Sequence, residues 1–417
     1  MAAIDWVLHP TELWAAFWFA MRHAPPDEKT NKLPVSGDMK RCYDFLEMTS
    51  RSFAAVIQEL HPRLRDAVCL FYLILRGLDT VEDDMTIPGA RKRQVLETFH
   101  ELIYQDGWTF KESGPDEKDA LLLVEFDVVI REFLRLPEEF QAVIADITRR
   151  MGAGMAEYTR SRVESLDDYN EYCYYVAGLV GHGLSRLFAV SGLEDKAVGE
   201  RLELANSMGL FLQKTNITRD INEDVLDGRC FWPKAIWGKH AETEEQLISK
   251  AHRAKGVDAL NEMCLNVLQH IPDVLEYLEQ IKEPSLFRFC AIPQTMAVAT
   301  IVLCYDNPRV LEDNVKIRKG EALKLISQST DIGRVKTVFY RYMERLEKKN
   351  HPSNPMYEPV AKIIRRTKQD IAATLKGGAP ADFTTEYLVL FAFVIAAAAF
   401  FYAYHTDPQH QLPVLRQ

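Results

Sequence analysis

Three observations predict an all-α fold for this chain. Apolar residues recur with the 3.6-residue period of amphipathic helices over most of the first 350 residues. No stretch sustains the two-residue alternation of a half-buried strand, and no Asn-Gly or Asp-Gly pair joins two such stretches. The Asp-Gly pair at Asp227-Gly228 closes a helical pattern instead. About a dozen helices are expected, in one domain over residues 1–376, because no long low-complexity linker divides that span.

In chain order, residues 1–22 carry three of the six tryptophans, Trp6, Trp14 and Trp18, and read as a helix packed on the body. They hold no basic leader or small-residue cleavage site of a secretory signal. Residues 23–38 are Pro-rich and polar, hence a loop. Helical periodicity resumes over 39–60, is interrupted at Pro62, and continues into a buried helix ending near Asp84. Pro88 and Gly89 close that helix, and 91–105 form the next. Residues 118–136 and 138–163 read as a long pair around Pro137. The following helix carries Gly178, Gly181 and Gly183, each costing about 1 kcal/mol against Ala, so a packing or ligand-approach reason is expected. Periodicity continues over 197–226, 243–280, 284–305 and 320–349, and a basic helix begins near Ala361.

Two acidic stripes organise the chain. Leu70 to Asp84 runs LFYLILRGLDTVEDD, a helix apolar all round that ends in acids. On a helix Asp79 and Asp83 stand one turn apart with Glu82 beside them. Like charges at that spacing repel, so a cation should sit among them. Gln213 to Asp227 repeats the pattern, with Asn216, Asp220 and Asp224 every four residues and Glu223 alongside. Either stripe alone would read as a solvated face. Together, on facing helices, they form a cage of hard oxygen ligands suited to Mg²⁺, which keeps several waters and shares substrate phosphates. A di-iron carboxylate bundle would need two Glu-x-x-His motifs, and only Glu97–His100 fits.

Composition narrows the class further. Acids outnumber Lys and Arg by 60 to 50, which disfavours a nucleic-acid binder. Seven scattered cysteines without a CxxC pair argue for reduced thiols in a cytosol-facing protein. Residues 377–386 open with GGAPAD and read as a linker, and Tyr387 to Tyr404 then gives 18 residues without a charge. At ~1.5 Å per residue that run spans about 27 Å, near the thickness of the endoplasmic reticulum bilayer. Eleven Lys and Arg against six acids over 334–386 precede it. The positive-inside tendency therefore puts the body in the cytosol and the 405–417 tail in the lumen.

The motifs RGLDTVEDD, NITRDINED, YCYYVAGLVG and FRFCAIPQ, in this order, resemble those of the squalene synthases, the farnesyl-diphosphate farnesyltransferases of the squalene/phytoene synthase family. The likeness runs from about Arg41 to Gly320 and extends to the C-terminal apolar run. It implies an isoprenoid-synthase helical fold with a central cavity and acidic motifs on opposite walls. It also implies that two farnesyl diphosphates join head to head into presqualene diphosphate, which NADPH then reduces to squalene. On this resemblance Mg²⁺ is held by Asp79, Glu82, Asp83, Asp220 and Asp224. Arg51, Ser52, Arg76, Asn216 and Arg219 face the diphosphates, and Phe53, Tyr72, Phe287 and Phe289 are cavity aromatics able to face a cation. Tyr172 falls at the family's catalytic tyrosine, with Tyr174 and Tyr175 close rivals by sequence. No Rossmann fingerprint is present: GAGMAE at 152–157 lacks the last glycine. The resemblance instead gives the cofactor to Arg51, Arg76 and Arg219 with the VKIRKG segment, chiefly Lys316 and Arg318. The implied protein is a monomer with a single C-terminal span in the endoplasmic reticulum membrane. A synthase of the phytoene or dehydrosqualene type, lacking the reduction, and a non-catalytic helical membrane adaptor are the alternatives.

Overall fold

The computed structural model describes residues 37–375, apart from the side chains of Arg51 and Ser52. The expectations for residues 1–36, for the linker at 377–386, for the membrane span at 387–404 and for the tail fall outside the described residues. Within them every regular element is helical, and no strand occurs among the described residues.

The first helices are α1 (Gly37–Thr49), α2 (Arg51–Gln58) and α3 (Pro62–Asp83). The periodic stretch 39–60 is thus two helices, because the Ser50 hydroxyl caps α2 by accepting from the Phe53 amide at 3.3 Å. Pro62 does not interrupt a helix but opens α3, where its missing N–H costs nothing. Next come α4 (Gly89–Leu102), α5 (Ala120–Val124), α6 (Phe126–Phe133) and α7 (Glu138–Tyr158). The expected single helix over 118–136 is broken at Glu125, whose φ of −111° and ψ of 29° are not helical. The Glu125 carboxylate is held there by a two-point bond from Arg41 at 2.9 Å.

Helix α8 (Leu166–Cys173) starts at a capping box between Ser165 and Asp168 and passes into one π-helical turn, Tyr174–Gly178, before α9 (Leu179–Val190). The stretch 197–226 resolves into α10 (Lys196–Glu200), α11 (Leu202–Arg219) and α12 (Ile221–Leu226). Gly228, at a φ of +74°, ends it where the Asp-Gly pair indicates. The remainder comprises α13 (Lys234–Trp237), α14 (Glu244–Ile248), α15 (Arg253–Leu268), α16 (Ile271–Gln280), α17 (Pro284–Cys304), α18 (Lys319–Gln328), α19 (Ile332–Lys349) and α20 (Tyr357–Thr374). Breaks of this kind raise the expected dozen to twenty α-helices among the described residues.

Helix α11 is the hub. It packs against α8, α9, α15, α16, α17 and the π turn, so it is buried nearly all round. Helix α3 packs on α1, α6, α7 and α9 and leaves one face toward a central cavity. The glycines have a packing reason. A Cβ on Gly181 would lie 2.1 Å from the Ala205 carbonyl oxygen, and one on Gly209 would lie 2.2 Å from that of Ala177. Only hydrogens let the π turn and α9 touch α11 backbone to backbone.

Helix α17 is the one described helix long and apolar enough to cross a membrane, yet 78% of its apolar window is buried in the body. It forms a wall of the central cavity through Phe289, Cys290, Pro293 and Gln294.

Candidate active site

The first acidic stripe sits at the C-terminal end of α3, where the apolar run reaches the surface. Of its four acids only three face the site. Asp84 turns to the following loop and accepts from the Thr86 and Gly114 amides, each at 2.8 Å. Asp79 and Glu82 are partly exposed and ringed by protein, whereas the Asp83 side chain is 48% exposed. Desolvation pushes Asp79 up to about 7 and Glu82 up to about 8, and Asp83 adds to both shifts. The buried Lys92 ammonium donates to the Glu82 carbonyl oxygen at 2.5 Å.

The second stripe spans the junction of α11 and α12. The helix kinks at Asp220, with φ −94° and ψ 8°. The four-residue spacing nevertheless survives, because the Asp220 amide donates to Asn216 and the Asp224 amide to Asp220, both at 2.9 Å. Arg219 grips the Asp220 carboxylate through two bonds at 2.7 and 2.6 Å. Asp224 is lifted to about 7 by burial, against the pull of Arg229.

One cation that lies between the stripes is Arg229. It donates to Asp83 at 2.7 Å and lies 3.9 Å from Asp224, joining the two walls. Sequence reasoning missed it because its reach depends on the turn at Gly228. Arg76, named instead, donates through Nε and Nη2 to one carboxylate oxygen of Asp119, an acid also missed. Asn314 was missed as well: its amide donates to Asp220 at 2.9 Å and Glu223 at 3.1 Å. That contact seats the start of the VKIRKG segment beside the second stripe. Neither Lys316 nor Arg318 lines the chambers described next; both are exposed, and Arg318 lies 3.7 Å from Glu321.

Two adjoining chambers lie beside the stripes. The acidic chamber, about 250 Å³, is lined by Asp79, Glu82, Asp83, Asp220 and Asp224 with Arg76, Arg229, Asn216 and Tyr172. It shares Arg76, Asp79, Val176, Gln213 and Asn216 with an apolar chamber of about 470 Å³. Phe53, Tyr72 and Phe289 line the apolar chamber, and the Phe53 and Tyr72 rings lie 5.9 Å apart. Phe287 does not line it. On α17 it lies two residues, about 200° of helical turn, from Phe289, so it is buried behind the wall. A third cavity, about 770 Å³, lies beyond Tyr172 and Arg229 and lacks Asp79 and the second stripe.

Tyr172 separates from its rivals. It lines the acidic chamber, stacks on Phe231 at 5.0 Å and 13°, and is held protonated by burial and by nearby Glu82 and Asp83. The Tyr174 hydroxyl accepts from Arg150 instead, and Tyr175 packs over Gly154. Among the described residues no three acids, histidines or cysteines gather closely enough to enclose one ion unaided. Partly buried carboxylates on opposite walls nonetheless fit Mg²⁺ ions that would complete their shells with water and diphosphate oxygens.

Residues 46–321 match the family model described as squalene/phytoene synthase. The chain is 48% identical to the squalene synthase of Rattus norvegicus over 359 residues, 85% of each chain. It is 49% identical to that of Schizosaccharomyces pombe over 341 residues, 78% of this chain and 74% of the other. The solved complex of TcSQS with the ligand E5700 superposes with a TM-score of 0.79 at 41% identity, covering 81% of this chain and 99% of that one. A dehydrosqualene synthase structure, at 20% identity and a TM-score of 0.52 over 70% of this chain and 95% of that one, shares the fold.

Proposed function

The chain belongs to the squalene/phytoene synthase family, and from that premise we propose that it condenses two farnesyl diphosphates to presqualene diphosphate and reduces this with NADPH to squalene. The observation that carries the reading is one acidic chamber adjoining one apolar chamber, with Arg76, Asp79, Val176, Gln213 and Asn216 lining both. Such a cavity suits a ligand with a polyanionic head and a long hydrocarbon tail.

The chemistry follows from the walls. Ionisation of an allylic diphosphate needs its departing charge neutralised, and Mg²⁺ held by Asp79, Glu82, Asp83, Asp220 and Asp224 would supply that. Arg76, Asn216 and Arg219 orient the leaving group, as do Arg51 and Ser52 on the resemblance. The allylic carbon is then attacked by the double bond of the second chain, and the apolar chamber keeps water from it. Closing the cyclopropane releases one proton. The Tyr172 phenol, too high in pKa to act as a free base, relays it to the departed diphosphate. The reading extends to a single C-terminal span in the endoplasmic reticulum membrane, a cytosolic body, a monomeric state, and NADPH held by Arg51, Arg76, Arg219, Lys316 and Arg318.

Replacing Asp79, Asp83, Asp220 or Asp224 with Ala tests the metal assignment. Each variant is expected to lose both half-reactions while keeping its helical circular dichroism. Near-normal turnover in any one removes that residue from the cage. The double change Lys316→Ala, Arg318→Ala is expected to weaken NADPH more than tenfold, at about 1.5–3 kcal/mol per charged hydrogen bond. Presqualene diphosphate should then accumulate, with partial rescue by excess NADPH. Equal loss of both steps without rescue would remove the segment from the cofactor site.

A further inference from the structure

Among the described residues lining the apolar chamber, one buried side-chain polar atom has no hydrogen-bond partner. Gln294, only 2% exposed, lies on α17 beside Pro293 and lines the chamber wall. Its Nε2 donates to the Met208 carbonyl oxygen at 3.1 Å, which fixes the amide orientation. Its Oε1 is buried with no hydrogen-bond partner, and no other lining residue of this chamber has such an atom among the described residues. The remaining deep hydroxyl, that of Tyr277, is satisfied by Ser185 at 2.6 Å. A buried acceptor without a donor is destabilising, so this orphan in the chamber wall points to a ligand that brings a donor.

Depth decides which ligand. Met208 precedes Asn216 by eight residues on α11, about 12 Å along the helix, so Gln294 is remote from the acids that would hold diphosphate. Isoprenoid chains carry no N–H or O–H. Of the molecules in the proposed reaction, only the reduced nicotinamide carries a donor on a ring that must approach the hydrocarbon, its carboxamide N–H. We infer that the Gln294 side-chain oxygen accepts a hydrogen bond from the nicotinamide carboxamide, seating the hydride donor in the apolar chamber. The inference rests on the reading that this chain carries out a nicotinamide-dependent reduction.

The test is an equilibrium measurement. Full-length chain with Mg²⁺ is titrated calorimetrically with NADPH and with its reduced 3-acetylpyridine analogue, which replaces the carboxamide NH₂ by methyl. The wild-type chain is expected to favour NADPH by about tenfold, the effect of one buried hydrogen bond and its unpaired partner. Gln294→Leu should bring the two ligands within about twofold of each other. Gln294→Glu, which keeps an acceptor oxygen, should restore part of the preference. Circular dichroism and thermal melting of each variant identify loss of fold, and Gln294→Met replaces a leucine variant that does not fold. An undiminished preference in Gln294→Leu or Gln294→Met, or no preference in the wild type, overturns the assignment. Failure of the wild type to bind NADPH at all would overturn the reductase reading, and this inference with it.

Discussion

Asp79 and Asp224 lose their protons near pH 7 and Glu82 near pH 8 in the folded chain, against about 4 for ordinary carboxyls. Between those limits the folded chain binds more protons than the unfolded one. Their contribution to stability is therefore complete below about pH 4 and is lost as pH rises through about 7 to 8. Because Mg²⁺ binds the ionised forms, its addition should raise the thermal midpoint more at pH 8 than at pH 5.5. An increment independent of pH would show that these carboxylates do not hold the ion. Tyr172 supports a second expectation at this scale. Tyr172→Phe keeps the ring stacked on Phe231 and removes the proton relay, so presqualene diphosphate formation should fall by about 10². Tyr174→Phe, which severs only the bond from Arg150, should change it little; a reversal of the two would move the relay to Tyr174.

At the scale of elements, the π turn and α9 meet α11 at glycine contacts, while α3, packed on α9, faces α11 across the cavity. Gly181→Ala would push a methyl into the Ala205 carbonyl and force the helices apart. A loss of about 1–3 kcal/mol is expected, typical of overpacking, with a matching drop in the urea midpoint. A variant as stable as the parent would mean that α9 can shift freely. The sequence announced the glycines but not their partner, since nothing in YCYYVAGLVG shows which helix crosses it. Helix breaks were equally hidden. Glu125 and Asp220 sit in uninterrupted helical patterns, and the partners that hold them are distant in sequence: Arg41 on Glu125, and Asn314 on Asp220.

For the whole molecule, the all-α class and the facing stripes were legible because period and spacing are local properties of the chain. Arg229 and Asn314 were not, because each reaches the stripes from a loop whose path only the packed body defines. Phe287 was misjudged for a related reason: two aromatics two apart on a helix cannot both face one cavity. All chamber-lining residues lie between Thr49 and Gln294. A chain ending after Lys376 is therefore expected to be soluble and active, and aggregation with an unfolded body would make residues 387–404 part of the core. The central claim is that one cavity performs both a head-to-head condensation and a reduction. Its most direct measurement is product analysis from farnesyl diphosphate and Mg²⁺, with and without NADPH. Squalene should form only with NADPH, with presqualene diphosphate accumulating in its absence. A C30 product distribution unchanged by NADPH, or dehydrosqualene in both reactions, would contradict it.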